Sequence, residues 1–184
     1  MPKIVAEKTD WVKLGFGLFA KHGEAGIIVD KMVRILKCNR SSFYWHFTSK
    51  KEFVKEIIDF WIDLDTEQII VLTEKSGTPQ EKFKALVKAV FREDPQMDFV
   101  FHIKRYARKD KSIQMQIDKV DNRRITYTAS ILKDLGHSPE EAFVKANLFY
   151  KYLIGHHEML RYKKQPKNYV DEVLKDLRQF IPLL

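Results

Sequence analysis

The chain has 184 residues, 45% hydrophobic and 32% charged, with a formal net charge of +8. This is the composition of a soluble globular protein of one or two compact units. It contains nothing close to the roughly 20-residue apolar run of a membrane span. The N-terminus lacks the apolar segment of a secretory signal, and the single cysteine, Cys38, excludes an internal disulfide framework. The expectation is a cytoplasmic protein with no membrane partner. The positive charge is uneven: residues 1–55 hold 11 Lys/Arg against 5 Asp/Glu, a balance of +6, and residues 56–184 hold 22 against 20, a balance of +2. A basic N-terminal third favours a polyanionic partner.

The pattern predicts an all-α protein of about nine helices, because strand-like alternation is nearly absent and Gly and Pro fall between periodic segments. Trp11, Leu14, Gly15, Leu18 and Phe19 mark a first helix that stops near Gly23. Val29, Met32, Val33 and Leu36 define a short second helix. The third covers about 40–46, and the fourth runs from about 49 past Trp61 into the 70s. Ser76-Gly77-Thr78-Pro79 breaks the chain, with Pro79 suited to a helix's first position. A fifth helix built on Phe83, Leu86, Val87, Val90 and Phe91 ends at Asp94-Pro95. The sixth covers 97–107 and the seventh about 111–135, stopping at Gly136. Ser138-Pro139-Glu140-Glu141 opens an eighth that reaches about 163, with acids in its first turn. Pro166 interrupts, and the ninth occupies about 168–180. The ninth has one apolar stripe, whereas the eighth is apolar on more than one side and needs more than one packing partner. Its own core or a second subunit could supply them.

The most informative stretch is 39–53, where Asn39 precedes a helix of Arg, two Ser and three aromatics, and Thr48-Ser49 opens another with Lys50 and Lys51. The second helix, a tight link at Lys37-Cys38 and the third helix have the proportions of a helix-turn-helix. In that motif the first residues of the second helix meet base edges. Arg40 could fork onto guanine, Ser41 and Ser42 could donate or accept, and Trp45 or Tyr44 could meet a thymine methyl. Tyr44, His46 and Lys50, the last with the N-terminal amides of the fourth helix, suit phosphate contacts. Phe43 and Phe47 are expected to be core. Tyr44 and Trp45 lie on another side, and one of them should be exposed beside Arg40 and Ser41.

These residues resemble those of TetR-family transcription regulators. The family's first helix ends Phe-x-x-x-Gly, as in Phe19-Ala20-Lys21-His22-Gly23. Its motif closes Tyr-x-x-Phe-x-x-Lys-x-x-Leu, matched by Tyr44-Trp45-His46-Phe47-Thr48-Ser49-Lys50-Lys51-Glu52-Phe53. The resemblance covers about residues 8–55. It implies a DNA-binding domain over 1–48 and a ligand-binding and dimerisation domain over 49–184. It also implies a homodimer through the last two helices, a palindromic operator in double-stranded DNA, and a small-molecule effector controlling DNA affinity. Two departures stand out. Ile27 and Ile28 replace the Thr or Ser that usually opens the second helix, losing a cap worth about 1 kcal/mol and a habitual phosphate contact. The turn, usually Gly-Val-Ser, is Lys37-Cys38-Asn39, so Lys37 must take the turn without glycine. Asn39 is expected to keep the cap of the third helix, and Cys38 to fill an apolar position as an inert thiol rather than a redox sensor.

Aromatic and polar residues on the later helices suggest a pocket for an apolar or aromatic effector, with Phe99, His102, Tyr106, Tyr127 and Phe149 as candidate lining. His156-His157-Glu158 resembles a metal cluster, but adjacent histidines point about 100° apart on a helix and chelate one ion poorly. No cofactor or metal is implied. The basic runs at 104–111 and 161–167 read as solvated faces. A phosphate-binding Gly loop, a zinc-protease His-Glu pattern and a nucleophile elbow are all missing, which argues against an enzyme. A helical module that uses its aromatics on protein is the other alternative.

Overall fold

The computed structural model describes residues 6–92, 98–160, 163 and 167–182. Among them every regular element is helical: α1 (Lys8–His22), α2 (Val29–Leu36), α3 (Arg40–His46), α4 (Lys50–Ile62), α5 (Gln68–Glu74), α6 (Pro79–Val90), α7 (Asp98–Ala107), α8 (Lys111–Asp134), α9 (Pro139–Leu160) and α10 (Tyr169–Leu177). A 3-10 turn, Gly23–Gly26, follows α1, and a π-helical turn, Asp63–Glu67, joins α4 to α5. Counting α4 and α5 together, as the sequence reading does, gives nine helices among the described residues, in agreement with the all-α reading. The expected breaks at Asp94-Pro95 and Pro166, and most of the basic run 161–167, lie outside the described residues. Among the described residues no helix is long and apolar enough to cross a membrane.

Packing divides the chain into two units, Met1–Leu64 with Pro95–Ile117 and Asp65–Asp94 with Asp118–Leu184. The first is built on aromatic rings. Trp11, Val12, Gly15, Phe16, Phe19 and Ala20 recur at helical spacing along α1 and are all buried. Phe43 lies 5.3 Å from Trp11, 5.1 Å from Phe47 and 5.2 Å from Phe53, centroid to centroid. A second cluster surrounds Phe99, whose ring is 4.7 Å from Phe16, 5.3 Å from Phe19 and 5.4 Å from Trp61. Gly15 lets α4 come close to α1: a Cβ there would sit 2.4 Å from Phe53 Cζ and 2.8 Å from Ile57 Cδ1. Local chemistry starts the helices. Ser49 Oγ, at the N-cap of α4, accepts from the Glu52 amide at 3.1 Å, and the Glu52 carboxylate reaches back to accept from the Thr48 amide at 2.7 Å. Asp110 accepts from the amides of Ser112 and Ile113 at the start of α8 and pairs with Lys51 at 2.7 Å. Those contacts hold its carboxyl well below the ordinary range, with the Lys51 ammonium the largest cause.

The second unit has a core of aliphatic and aromatic residues from α6, α8, α9 and α10, including Phe83, Val87, Phe91, Leu132, Ala146, Phe149 and Leu177. The sequence signals at its helix starts are realised. Thr78 Oγ1 accepts from the Glu81 amide and Glu81 accepts from the Thr78 amide, with Pro79 in the first turn. Ser138 and Glu141 make the same reciprocal pair on α9. The π turn interrupts the single fourth helix of the sequence reading. Arg92 pairs with Asp65 at 3.2 Å, Arg124 donates to Thr66 Oγ1 at 2.9 Å and to the Asp65 carbonyl at 3.3 Å, and Arg123 forks onto Glu67 at 2.7 and 2.8 Å. These arginines come from far along the chain, so no local breaker marks the turn.

Three substitutions test this packing by urea denaturation. Gly15→Ala should destabilise by about 1–3 kcal/mol despite alanine's better helix propensity, because the Phe53 ring and the Ile57 side chain it would strike are enclosed. Gly17→Ala, whose added Cβ meets nothing within 4 Å, should stabilise by about 0.5–1 kcal/mol. Lys37→Gly should stabilise by about 1 kcal/mol, since Lys37 holds a left-handed φ of 51°. Equal effects of the two glycine variants would contradict the close approach of α1 and α4.

Candidate nucleic-acid interface

The link between α2 and α3 is closed by backbone geometry. The Lys37 amide donates to the Arg34 carbonyl at 3.4 Å and the Cys38 amide to the Val33 carbonyl at 3.2 Å. With Lys37 in the left-handed region, these are the two bonds of a Schellman motif. The turn that glycine usually makes is therefore made here by lysine, at a steric cost. Ile28 occupies the N-cap of α2 without a side-chain cap, as its chemistry requires. Asn39 stands at the N-cap of α3 with extended backbone, and its carbonyl accepts from the Ser42 amide at 2.9 Å, but its side chain makes no cap bond. The expected side-chain cap is thus absent. Cys38 is half-buried rather than enclosed.

Helix α3 has two distinct sides. Phe43 is enclosed, and so is Phe47 just past the helix end. Tyr44 and Trp45 are 51% and 82% exposed, and Arg40 and Ser41 are also exposed. Both aromatics outside the core therefore reach the surface, where the sequence required only one.

Ser42 is placed differently from the sequence reading. It is 4% exposed, accepts from Trp11 Nε1 at 3.4 Å and donates to the Ala6 carbonyl at 3.5 Å. A buried hydroxyl already shared between two groups is not available to a base edge, so Ser42 anchors the helix instead. His46 is half-buried, with Nε2 2.9 Å from the same Ala6 carbonyl. A carbonyl only accepts, so Nε2 carries the proton and donates. His46 and Ser42 thus tie the segment ahead of α1 to α3, and this bond engages Nε2 of the His46 ring.

Arg40 is held from two sides. Nη1 donates to Asp30 Oδ1 at 3.3 Å, Nη2 donates to the Tyr44 hydroxyl oxygen at 3.4 Å, and the guanidinium lies 5.8 Å from the Tyr44 ring centroid. The Tyr44 hydroxyl and then the Asp30 charge raise its already high pKa, so it is cationic at any working pH. Tyr44 only accepts in this contact, leaving its own O–H to donate outward. Lys50 is exposed in the first turn of α4, whereas its neighbour Lys51 is drawn to Asp110. Arg40, Ser41, Tyr44 and Trp45 thus share one exposed, cationic and aromatic face. Asp30 and the Ala6 carbonyl are the parts of the site that motif reading did not supply.

The five residues expected to line an effector pocket are not brought together within one unit. Phe99, His102 and Tyr106 belong to the first, Tyr127 and Phe149 to the second. Phe99 is enclosed by Phe16, Phe19 and Trp61, and Phe149 lies 5.5 Å from Phe83 and 5.9 Å from Phe91, so both are packed as core. His102 lies against Gly23, and Tyr106 is half-buried 6.1 Å from Phe19. Tyr127 donates to Glu74 at 2.8 Å, and burial pushes its phenol pKa upward. His157 Nε2 bonds the Val90 carbonyl at 2.7 Å and His156 packs on Phe91 at 5.0 Å. Among the described residues no three metal-ligating side chains converge.

No protein-family model matches the sequence, and no curated protein is similar to it. Solved structures are. A transcriptional regulator from Rhodococcus sp. Rha1 superposes with a TM-score of 0.77 at 16% identity, covering 96% of each chain. A TetR-family transcriptional regulator from Marinobacter aquaeolei VT8 gives 0.70 at 14% identity, covering 95% of this chain and 98% of its own. The ketosteroid transcriptional regulator of Mycobacterium tuberculosis gives 0.66 at 15% identity, covering 98% and 95%. Over nearly its whole length, the chain has the all-α fold of TetR-family transcriptional regulators.

Proposed function

We propose that the protein is a dimeric DNA-binding transcriptional regulator, a repressor released by a small apolar or aromatic effector. The observation that carries this reading is the split of α3, with Phe43 and Phe47 locked inward and Arg40, Ser41, Tyr44 and Trp45 turned outward. A large aromatic left in water beside an arginine is costly unless something covers it. The +6 balance of residues 1–55 selects a polyanion as that cover. Arg40, Ser41 and Trp45 read bases, while Tyr44 and Lys50 hold phosphates. The division into 1–48 for DNA and 49–184 for ligand and dimerisation is one of task. The packing unit that contains the helix-turn-helix also takes in α4 and α7.

Dimerisation through α9 and α10 is supported by the apolar surface of α9. Val144, Leu148, Gly155 and Met159 fall within about 60° of arc at 100° per residue. The three side chains are exposed, Met159 at 72%, and Phe143 beside them is exposed too. The effector class rests on the apolar interior of the second unit and on one structural neighbour named as a ketosteroid regulator. We assign no catalytic role.

Enrichment from a random duplex pool at near-physiological salt tests the reading, and a palindromic motif is the expected result. Folded protein that enriches nothing would move the protein-interaction reading to the front. Arg40→Ala should relax preference at one position of each half-site by about tenfold. Lys50→Ala should weaken all sequences alike and lower the salt slope by about one. Ser42→Ala should leave base preference unchanged and lower stability by about 1 kcal/mol, because the Trp11 indole loses its acceptor. In sedimentation, Leu148→Glu should shift the protein to monomer. A dimer unaffected by that change would place the interface elsewhere.

A further inference from the structure

Asp30 is the sole carboxylate between Glu24 and Glu52, within a stretch that carries Lys31, Arg34, Lys37, Arg40, Lys50 and Lys51. A lone acid inside a cationic DNA-facing motif opposes binding, because it repels every phosphate that approaches. It does not repay this through stability. The Asp30–Arg40 pair is more than half exposed on both sides, where ion pairs contribute little to folding. What it does is hold one particular side chain. Its Oδ1 takes Nη1 of Arg40 while the Tyr44 hydroxyl takes Nη2, so the guanidinium is fixed at both ends of its fork. A guanidinium has five N–H donors. Two are engaged here, which leaves three, and neither terminal nitrogen is exhausted.

We infer that Asp30 is a specificity-determining positioning residue for the DNA-reading face, an inference that rests on the function proposed above. It acts in two ways that push in the same direction. By holding Arg40 with Tyr44, it removes in advance much of the rotamer freedom that a long side chain loses on meeting a base. That gain is collected only where the base presents matching acceptors, as guanine does with O6 and N7. By its charge it weakens binding to any sequence. Specific binding therefore keeps the benefit of the ordered fork, and random DNA meets only the repulsion. Asp30 raises the ratio of the two while lowering both absolute affinities, the behaviour of an element built against wrong partners.

The test uses the full-length protein in random-pool enrichment and in titrations of a random-sequence duplex. Four forms are compared: wild type, Asp30→Asn, Arg40→Ala and the double variant. Asp30→Asn keeps the size and removes the charge. It should bind the random duplex about threefold to tenfold more tightly and lose about fivefold of preference at the base position that Arg40→Ala also relaxes. In the Arg40→Ala background, Asp30→Asn should raise random-duplex affinity but change no base preference. Asp30→Glu, which restores the charge on the same turn of α2, should recover the weak random binding of wild type. Unchanged preference in Asp30→Asn overturns the inference. So does loss of preference at all positions alike with a lowered Tm, which marks a merely structural role at the start of α2. If wild type enriches a motif that Arg40→Ala does not alter, this inference falls and the proposed function stands. If wild type enriches nothing, both fall.

Discussion

The orientation of a seven-residue helix governs everything that has been assigned to this protein. An isolated helix of that length does not form in water, since its nucleation cost exceeds what one or two turns return. Helix α3 also lacks a side-chain cap. Its existence and its rotation therefore come from the rings beneath it. Phe43 and Phe47 are wedged between Trp11 of α1 and Phe53 of α4, with centroids 4.7–5.3 Å apart, in the tilted and edge-on arrangements that aromatic quadrupoles favour. Gly15 makes the wedge tight by letting α4 close on α1. A rotation of α3 by about 100°, one residue's turn, would exchange Tyr44 for Phe43 in the core and redirect the exposed face.

The same economy explains the hydrogen bonds around the motif. Ser42 and His46 both end on the Ala6 carbonyl, so α3 and the segment ahead of α1 are held as one piece. Lys37 sits in a left-handed conformation, and Ile28 leaves α2 uncapped. Both choices cost stability within the motif, and the aromatic core offsets them. A motif with weak local preferences and a strong tertiary anchor keeps its geometry only while the anchor is intact.

The legible parts of the fold are those whose causes are local. Thr78-Pro79 and Ser138-Pro139 announced helix starts because a cap and its partner lie three residues apart, and both capping pairs form. The inward setting of Phe43 and Phe47 was legible because spacing alone puts them on one side. Ser42 was misread as a base contact because its partners, Trp11 and Ala6, lie 31 and 36 residues away. His46 and the Ala6 carbonyl, 40 residues apart, were hidden for the same reason. The π turn was missed because Arg123 and Arg124, more than 50 residues downstream, hold it. Phe99 and Phe149 have the composition of a lining, and the rings they pack against, Phe16 and Phe83, lie far away along the chain, where composition does not reveal them.

The central claim is that the exposed face of α3 is the surface covered by DNA, and the protein carries a reporter for it. Of its three tryptophans, Trp11 and Trp61 are fully enclosed and Trp45 is 82% exposed. Iodide should therefore quench essentially the Trp45 emission alone in the free protein, and Trp45→Phe should abolish that quenchable fraction. The measurement is iodide quenching of the wild-type protein before and after saturation with an enriched duplex at near-physiological salt. Loss of the quenchable fraction on saturation, beyond the protection that the same ionic strength gives free protein, is the predicted result. A Trp45 that stays fully quenchable in a saturated complex would contradict the account, because DNA would then be held by some other face.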